Sequence, residues 1–294
     1  MFKNIGNNFN TPEKVVKIKN PIKDNVELSA LWVGHVTVLL QIFDKVIITD
    51  PYLNNNIAEI QKRVVETGIE INDLDKCDII LLSHSHFDHL QLGSLKILSE
   101  KFPYAKLVFP LGLEEFLPDY SFDLIPMRKA EEQNKIYTGE VKYIDGVKIT
   151  TVAAFHWGGR YGLDGLIWGE DAYTGFIIEY KGITVYFAGD TSYDDYFYKW
   201  LGDNYNIDLS IIPIGPCTDC TETDKPGRHL YPKGSLKVLE DTKSEVMIPV
   251  HYGTIIEKSH PDKPVEILKL LIKEDVNSNN RVKILKIGEQ IILK

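Results

Sequence analysis

The stretch Cys77-Asp78-Ile79-Ile80-Leu81-Leu82-Ser83-His84-Ser85-His86-Phe87-Asp88-His89 decides how this chain is read. Its first half is a short apolar run of the kind that forms a buried strand. Its second half crowds three histidines and an aspartate into His84 to His89. Three more apolar runs end in a similar way, leading into His156, Asp190 and His251. An α/β sheet that sets reactive side chains just past the carboxyl ends of its strands gathers them along one edge, the usual place for ligands and chemistry. Seven candidate ligands then converge: His84, His86, Asp88, His89, His156, Asp190 and His251.

A hydrolytic metal needs neutral imidazoles and carboxylates to hold it and one open position for water. Histidines two apart in an extended segment, as His84 and His86 are, point the same way and can grip one ion. Asp88 and His89 fall where the chain leaves the strand, within reach of a second ion. Asp190 is placed to bridge the two, with His156 and His251 completing one site each. The competing reading is a set of unrelated surface histidines. Five of the chain's eight histidines fall in this one pattern, which argues against it.

At these residues the sequence resembles the metallo-β-lactamase superfamily, whose hallmark is His-x-His-x-Asp-His followed by single His, Asp and His ligands. The resemblance runs from Leu31-Trp32-Val33-Gly34-His35-Val36-Thr37 and Ile48-Thr49-Asp50-Pro51 to His251-Tyr252-Gly253-Thr254. Phe155-His156-Trp157, Leu166-Ile167-Trp168-Gly169, Phe187 to Tyr193 and Arg228-His229-Leu230-Tyr231-Pro232 are similar to the branch containing N-acylphosphatidylethanolamine-hydrolysing phospholipase D. The resemblance implies an αββα sandwich with metals at one edge. It also implies a metal-supporting role for Asp50 and an active-site position for His229.

Length and composition suit one enzyme-sized domain over residues 1–294, with no Pro/Ser-rich linker dividing it. A formal net charge of −9 disfavours nucleic acid, so the expected partner is a small-molecule substrate. No run approaches transmembrane length and the amino terminus lacks a secretory core, so the expectation is a cytoplasmic protein. Three cysteines fit a reducing compartment. Cys77 reads as core, and Cys217-Thr218-Asp219-Cys220 as a loop with two incidental thiols, since no second pair completes a zinc site.

Periodicity predicts strands over 27–33, 36–42 and 46–49, the ligand-leading strand, a helix over 90–102 and a strand over 106–109. In the second half it predicts strands over 147–154, 174–180, 183–188 and 245–250, and helices over 194–201, 232–241 and 264–273. Two mixed sheets packed together with helices outside is the fold class this order implies.

His35 reads as a satisfied, partly buried histidine rather than a ligand. His229, just before the helix at Pro232, can orient a phosphate or protonate a leaving group. The glycine-rich segment 157–165 lacks the helix-opening context of a phosphate-binding loop and reads as a rim, with Arg160 available to an anionic substrate and Tyr193 lining the pocket.

The function expected is metal-dependent hydrolysis by two divalent ions, zinc first and manganese or iron as alternatives, with Asp88 and His229 as catalytic groups. A phosphodiester is the leading substrate class and a small or phosphorylated lactone the alternative. Little room precedes the strand near Glu27, and no obvious amphipathic lipid-binding segment is present. From another class, a non-catalytic metal-binding protein is disfavoured because Asp88 and Asp190 are both present. A flavin-linked di-iron relative would carry Glu where His86 stands.

Overall fold

The computed structural model describes residues 11–54, 56–57, 61–160, 172–217, 220, 229–256 and 260–294. The first half runs β1 (Leu28–Gly34), β2 (Thr37–Ile42), β3 (Lys45–Thr49), the short pair β4 (Asn56–Ile57) and β5 (Gln61–Lys62), β6 (Ile79–Leu81), α1 (Leu92–Lys101), β7 (Lys106–Pro110) and β8 (Asp123–Met127). The second half runs β9 (Thr138–Ile144), β10 (Val147–Val152), β11 (Gly175–Tyr180), β12 (Ile183–Phe187), α2 (Phe197–Asn204), β13 (Leu209–Pro213), α3 (Pro232–Asp241), β14 (Val246–Val250), α4 (Lys263–Glu274), α5 (Val276–Arg281) and β15 (Gln290–Ile292).

Seven strands form one mixed sheet in the order β15-β1-β2-β3-β6-β7-β8, and six form the other in the order β14-β13-β12-β11-β10-β9. The alternation of side chains along each strand makes this a sandwich. Leu28, Ala30, Trp32, Ile47, Ile79, Leu81 and Val108 of the first sheet join a core shared with Ile149, Ile178, Val185 and Phe187 of the second. Their neighbours Leu31, Val46, Ile48, Ile80, Leu107 and Phe109 face the other way and pack with Leu95 and Leu98 of α1. α2, α3 and α4 add Leu201, Leu239 and Leu268 to the shared core. Two mixed sheets with flanking helices are therefore as the element order implied.

All four ligand-leading runs are strands: β6 before His84, β10 before His156, β12 before Asp190 and β14 before His251. β3, β6, β7 and β8 run parallel, as do β12, β13 and β14, so their carboxyl ends share an edge within each sheet. Sequence periodicity passed over β8, β9, β13, β15 and α5. Among the described residues no helix is long and apolar enough to cross a membrane.

Cys217 and Cys220 correct one expectation: they are joined by a disulfide, with Cα atoms 5.0 Å apart, in a small cluster with Tyr231 and Ile267. Sequence spacing shows only that two thiols can meet, whereas the buried packing here holds them together. The bond also removes the thiol-count argument for a reducing compartment. Cys77 is buried and free, as expected of core.

Gly189, two residues past the end of β12, has a φ of +59°, and a Cβ there would lie 2.5 Å from Ser83 Cβ. The two sheets' ligand-bearing ends therefore approach through a position only glycine fits. Gly189→Ala should cost about 1–3 kcal/mol by overpacking and lower the thermal midpoint, with metal content falling alongside because Ser83 and Asp190 flank the contact. An unchanged midpoint in a thermal melt would refute this close fit.

Candidate metal centre

The chain leaves β6 with Leu82 still bonded to β7, then turns through the histidine cluster. His84 Nε2 lies 2.8 Å from His86 Nδ1, which lies 3.3 Å from His156 Nε2. Asp190 Oδ2 is 3.9 Å from His84 Nε2 and 3.8 Å from His156 Nε2. These four donor atoms make one group. On the other side of Asp190, the same Oδ2 is 3.3 Å from both His89 Nε2 and His251 Nε2. Asp88 Oδ2 is 3.5 Å from each of those nitrogens. All seven residues singled out in the sequence thus meet: Asp190 belongs to the first group and lies 3.3 Å from His89 and His251, which with Asp88 and His35 make the second.

Asp50 supports both groups. Its carboxylate accepts from Ser83 N at 2.7 Å, Ser83 Oγ at 2.6 Å and His89 Nδ1 at 2.6 Å. Because Ser83 Oγ donates to Asp50, it accepts from His84 Nδ1, 2.9 Å away. Both imidazoles are thereby protonated on Nδ1, which leaves Nε2 as the inward-facing atom a metal would take. Asp50 and His251 both have positive φ, 31° and 64°. Asp and His tolerate that region better than most side chains.

Thr191, one residue beyond Asp190, docks the remaining segments. Its Oγ1 accepts from Phe155 N at 3.0 Å, next to His156, and its carbonyl accepts from Leu230 N at 2.7 Å, next to His229. Sequence reading missed Ser83 and Thr191, whose only signal was adjacency to a ligand.

The electrostatics call for a cation. Asp50, Asp88 and Asp190 converge, and among the described residues the ion-pair partners found for them are imidazoles. Burial pushes His84 and His156 well below the ordinary imidazole range, so both stay neutral and able to ligate. Burial also lowers His89, but Asp190, Asp88 and Asp50 overcome it and raise His89 well above that range. Burial raises Asp190, yet His251, His89 and His229 hold its carboxyl well below the usual range. His89 Nε2 and both Asp190 oxygens are buried without a hydrogen-bond partner. Such orphaned atoms are costly unless something binds them, and a divalent ion suits this nitrogen and oxygen set.

His229 lies in the site: its Nδ1 is 3.1 Å from Asp190 Oδ2, and its ring centre is 5.1 Å from that of His156 and 5.2 Å from that of His251. Three expectations need correction. Arg160 is not available to an anion, because Nη1 donates to the Ser85 and Leu90 carbonyls at 3.0 and 2.8 Å and the guanidinium stacks on Phe87. It clamps the histidine loop instead. Tyr193 spends its hydroxyl on Asp195 and on Asp241 of α3. His35 is fully buried rather than partly so, and its Nε2 lies 2.8 Å from Asp88 Oδ2. Residues 161–171 and Arg228, part of the expected rim and motifs, lie outside the described residues.

A family model described as a β-lactamase superfamily domain matches residues 45–252. The mitochondrial N-acyl-phosphatidylethanolamine-hydrolysing phospholipase D of Saccharomyces cerevisiae is 27% identical over 238 residues, 76% of this chain and 47% of that one. A protein described as a metal-dependent hydrolase from Saccharolobus solfataricus is 30% identical over 228 residues, 76% of this chain and 83% of that one. The chain spans 64% of the length of the mycobacterial relatives it matches. Among solved structures, a metallo hydrolase of Ignicoccus hospitalis superposes with a TM-score of 0.65 at 20% identity, covering 90% of this chain and 97% of that one. That likeness shows the fold.

Asp50 reaches His89 directly and His84 through Ser83. Asp50→Ala should therefore weaken metal retention by about 10- to 100-fold, and Ser83→Ala by less, since it loses only the His84 arm. Chelator competition followed by metal analysis measures both. Equal losses would contradict the branching.

Proposed function

The chain belongs to the β-lactamase superfamily, and from that premise we propose that it is a metal-dependent hydrolase that holds two divalent ions and cleaves a phosphodiester. His84, His86 and His156 hold one ion, Asp88, His89 and His251 the other, and Asp190 lies between them. Zinc is the ion we assign, with manganese or iron as alternatives for the same donors. The observation that carries the pairing is the shared Asp190 oxygen, 3.3 Å from His89 and His251 and under 4 Å from His84 and His156. When bound, the ions supply Lewis acidity toward the scissile group and lower the pKa of water.

The chain's own residues then divide the remaining work. Asp88, whose side chain is 18% exposed, orients the attacking water. His229, 17% exposed and beside both groups, donates a proton to the leaving oxygen as the ester bond breaks. The phosphodiester reading is supported by the yeast and Caenorhabditis elegans relatives, which are named as phospholipases D hydrolysing N-acyl-phosphatidylethanolamine. We assign the whole of residues 1–294 to one domain.

Protein purified without chelator should carry nearly two metal equivalents. One equivalent that does not rise on reconstitution would refute the two-ion reading. A panel of bis(p-nitrophenyl) phosphate, lactones and N-acylphosphatidylethanolamine separates substrate classes, and turnover of lactones alone would replace the phosphodiester reading.

Asp88→Asn should lower both metal occupancy and rate. His229→Ala should keep metal near wild type and lower kcat/KM by about 10²-fold. The substrate for that comparison must have a poor leaving group, because p-nitrophenolate departs unprotonated. Full activity of His229→Ala on such a substrate would place the histidine outside catalysis.

A further inference from the structure

His35 stands at a break in the sheet. The β1–β2 register shifts between Trp32 and Gly34, and Gly34 and His35 both take positive φ, 117° and 55°. This turn carries the imidazole to the Asp88 side of the metal centre, where it is 1% exposed and its ring lies 4.2 Å from that of His251. Its backbone is tied to the segment after β14: His35 N donates to Thr254 Oγ1 at 2.7 Å, and His251 N donates to the His35 carbonyl at 3.0 Å. Trp32 Nε1 donates to that same carbonyl, also at 3.0 Å.

Resting on the two-ion reading, we propose that His35 is a positioning residue of the second metal group, fixing the Asp88 carboxylate through Nε2 and the His251 backbone through its own carbonyl, without ligating the ion itself. His35 Nε2 lies 2.8 Å from Asp88 Oδ2, the length of a charge-assisted hydrogen bond. Its donor atom also falls within the group made by Asp88, His89 and His251, so the test below separates holding the carboxylate from ligating the ion.

The tautomer agrees. His35 Nδ1 is buried with no hydrogen-bond partner. With the proton on Nε2, the ring donates to Asp88. A carboxylate oxygen has two lone pairs, so Asp88 Oδ2 can accept from His35 and still ligate. One residue thereby couples two ligands carried by different sheets, Asp88 after β6 and His251 after β14.

The test uses full-length protein and follows zinc content across a chelator series. His35→Asn keeps a side chain tolerant of the left-handed backbone but is too short to reach Asp88, whereas the longer amide of His35→Gln can donate there. His35→Asn should release one of the two equivalents at about 10- to 100-fold lower chelator concentration, with the other unchanged, and His35→Gln should recover part of the loss. Fully cobalt-loaded His35→Asn should keep the wild-type absorption spectrum, because no ligand has been removed. Wild-type retention of both equivalents by His35→Asn would overturn this inference alone. A changed cobalt spectrum at full loading would make His35 a ligand and also overturn it. A wild-type protein that never binds a second equivalent would instead overturn the two-ion reading and this inference with it.

Discussion

A fully buried carboxylate, Asp50, accepting three short hydrogen bonds at the end of β3, is the interaction on which the metal centre depends. A lone buried charge is expensive, and each hydrogen bond to it recovers about 1.5–3 kcal/mol. Those bonds come from Ser83 and His89, so satisfying Asp50 also fixes the path of the histidine loop. Thr37 Oγ1 donates to the Asp50 carbonyl, and Asp50 N donates to Leu81 O, which joins the strand ends to the same point. Geometry that would be loose in an ordinary loop is thus set by the backbone of β3 and β6.

The same network explains why so many charged and polar groups can be buried together. Three carboxylates face imidazoles, two of which, His84 and His156, burial keeps neutral. The raised His89 and depressed Asp190 show a site seeking positive charge. Such a cluster is unfavourable as a purely structural core, where apolar residues of similar volume are often as stable. Its cost becomes intelligible when a cation supplies the missing charge.

The strands leading to ligands were legible because short apolar runs ending in His or Asp combine a period and a stop signal in one place. β13, also apolar, carries no ligand at its end and was passed over. β9 alternates weakly, with its apolar Val141 and Tyr143 exposed, and β15 is three residues long and gains its identity only by pairing with β1, far away in sequence. Among the residues that meet at the candidate centre, the seven clustered donors were legible from residue type and position, and His229 through the family resemblance. The Asp88-holding position of His35, the clamp formed by Arg160 and the Cys217–Cys220 bond were not. Each depends on a partner distant in sequence or on burial that composition does not reveal.

Arg160 bears on how an anionic substrate would be met. The residue is 8% exposed and its Nη1 donates to the Ser85 and Leu90 carbonyls, so moving it toward a phosphate would unfasten the loop that carries His86, Asp88 and His89. In the two-ion reading the ions themselves meet the charge of a phosphate, so binding and chemistry draw on one source there. Loss of metal should weaken both together.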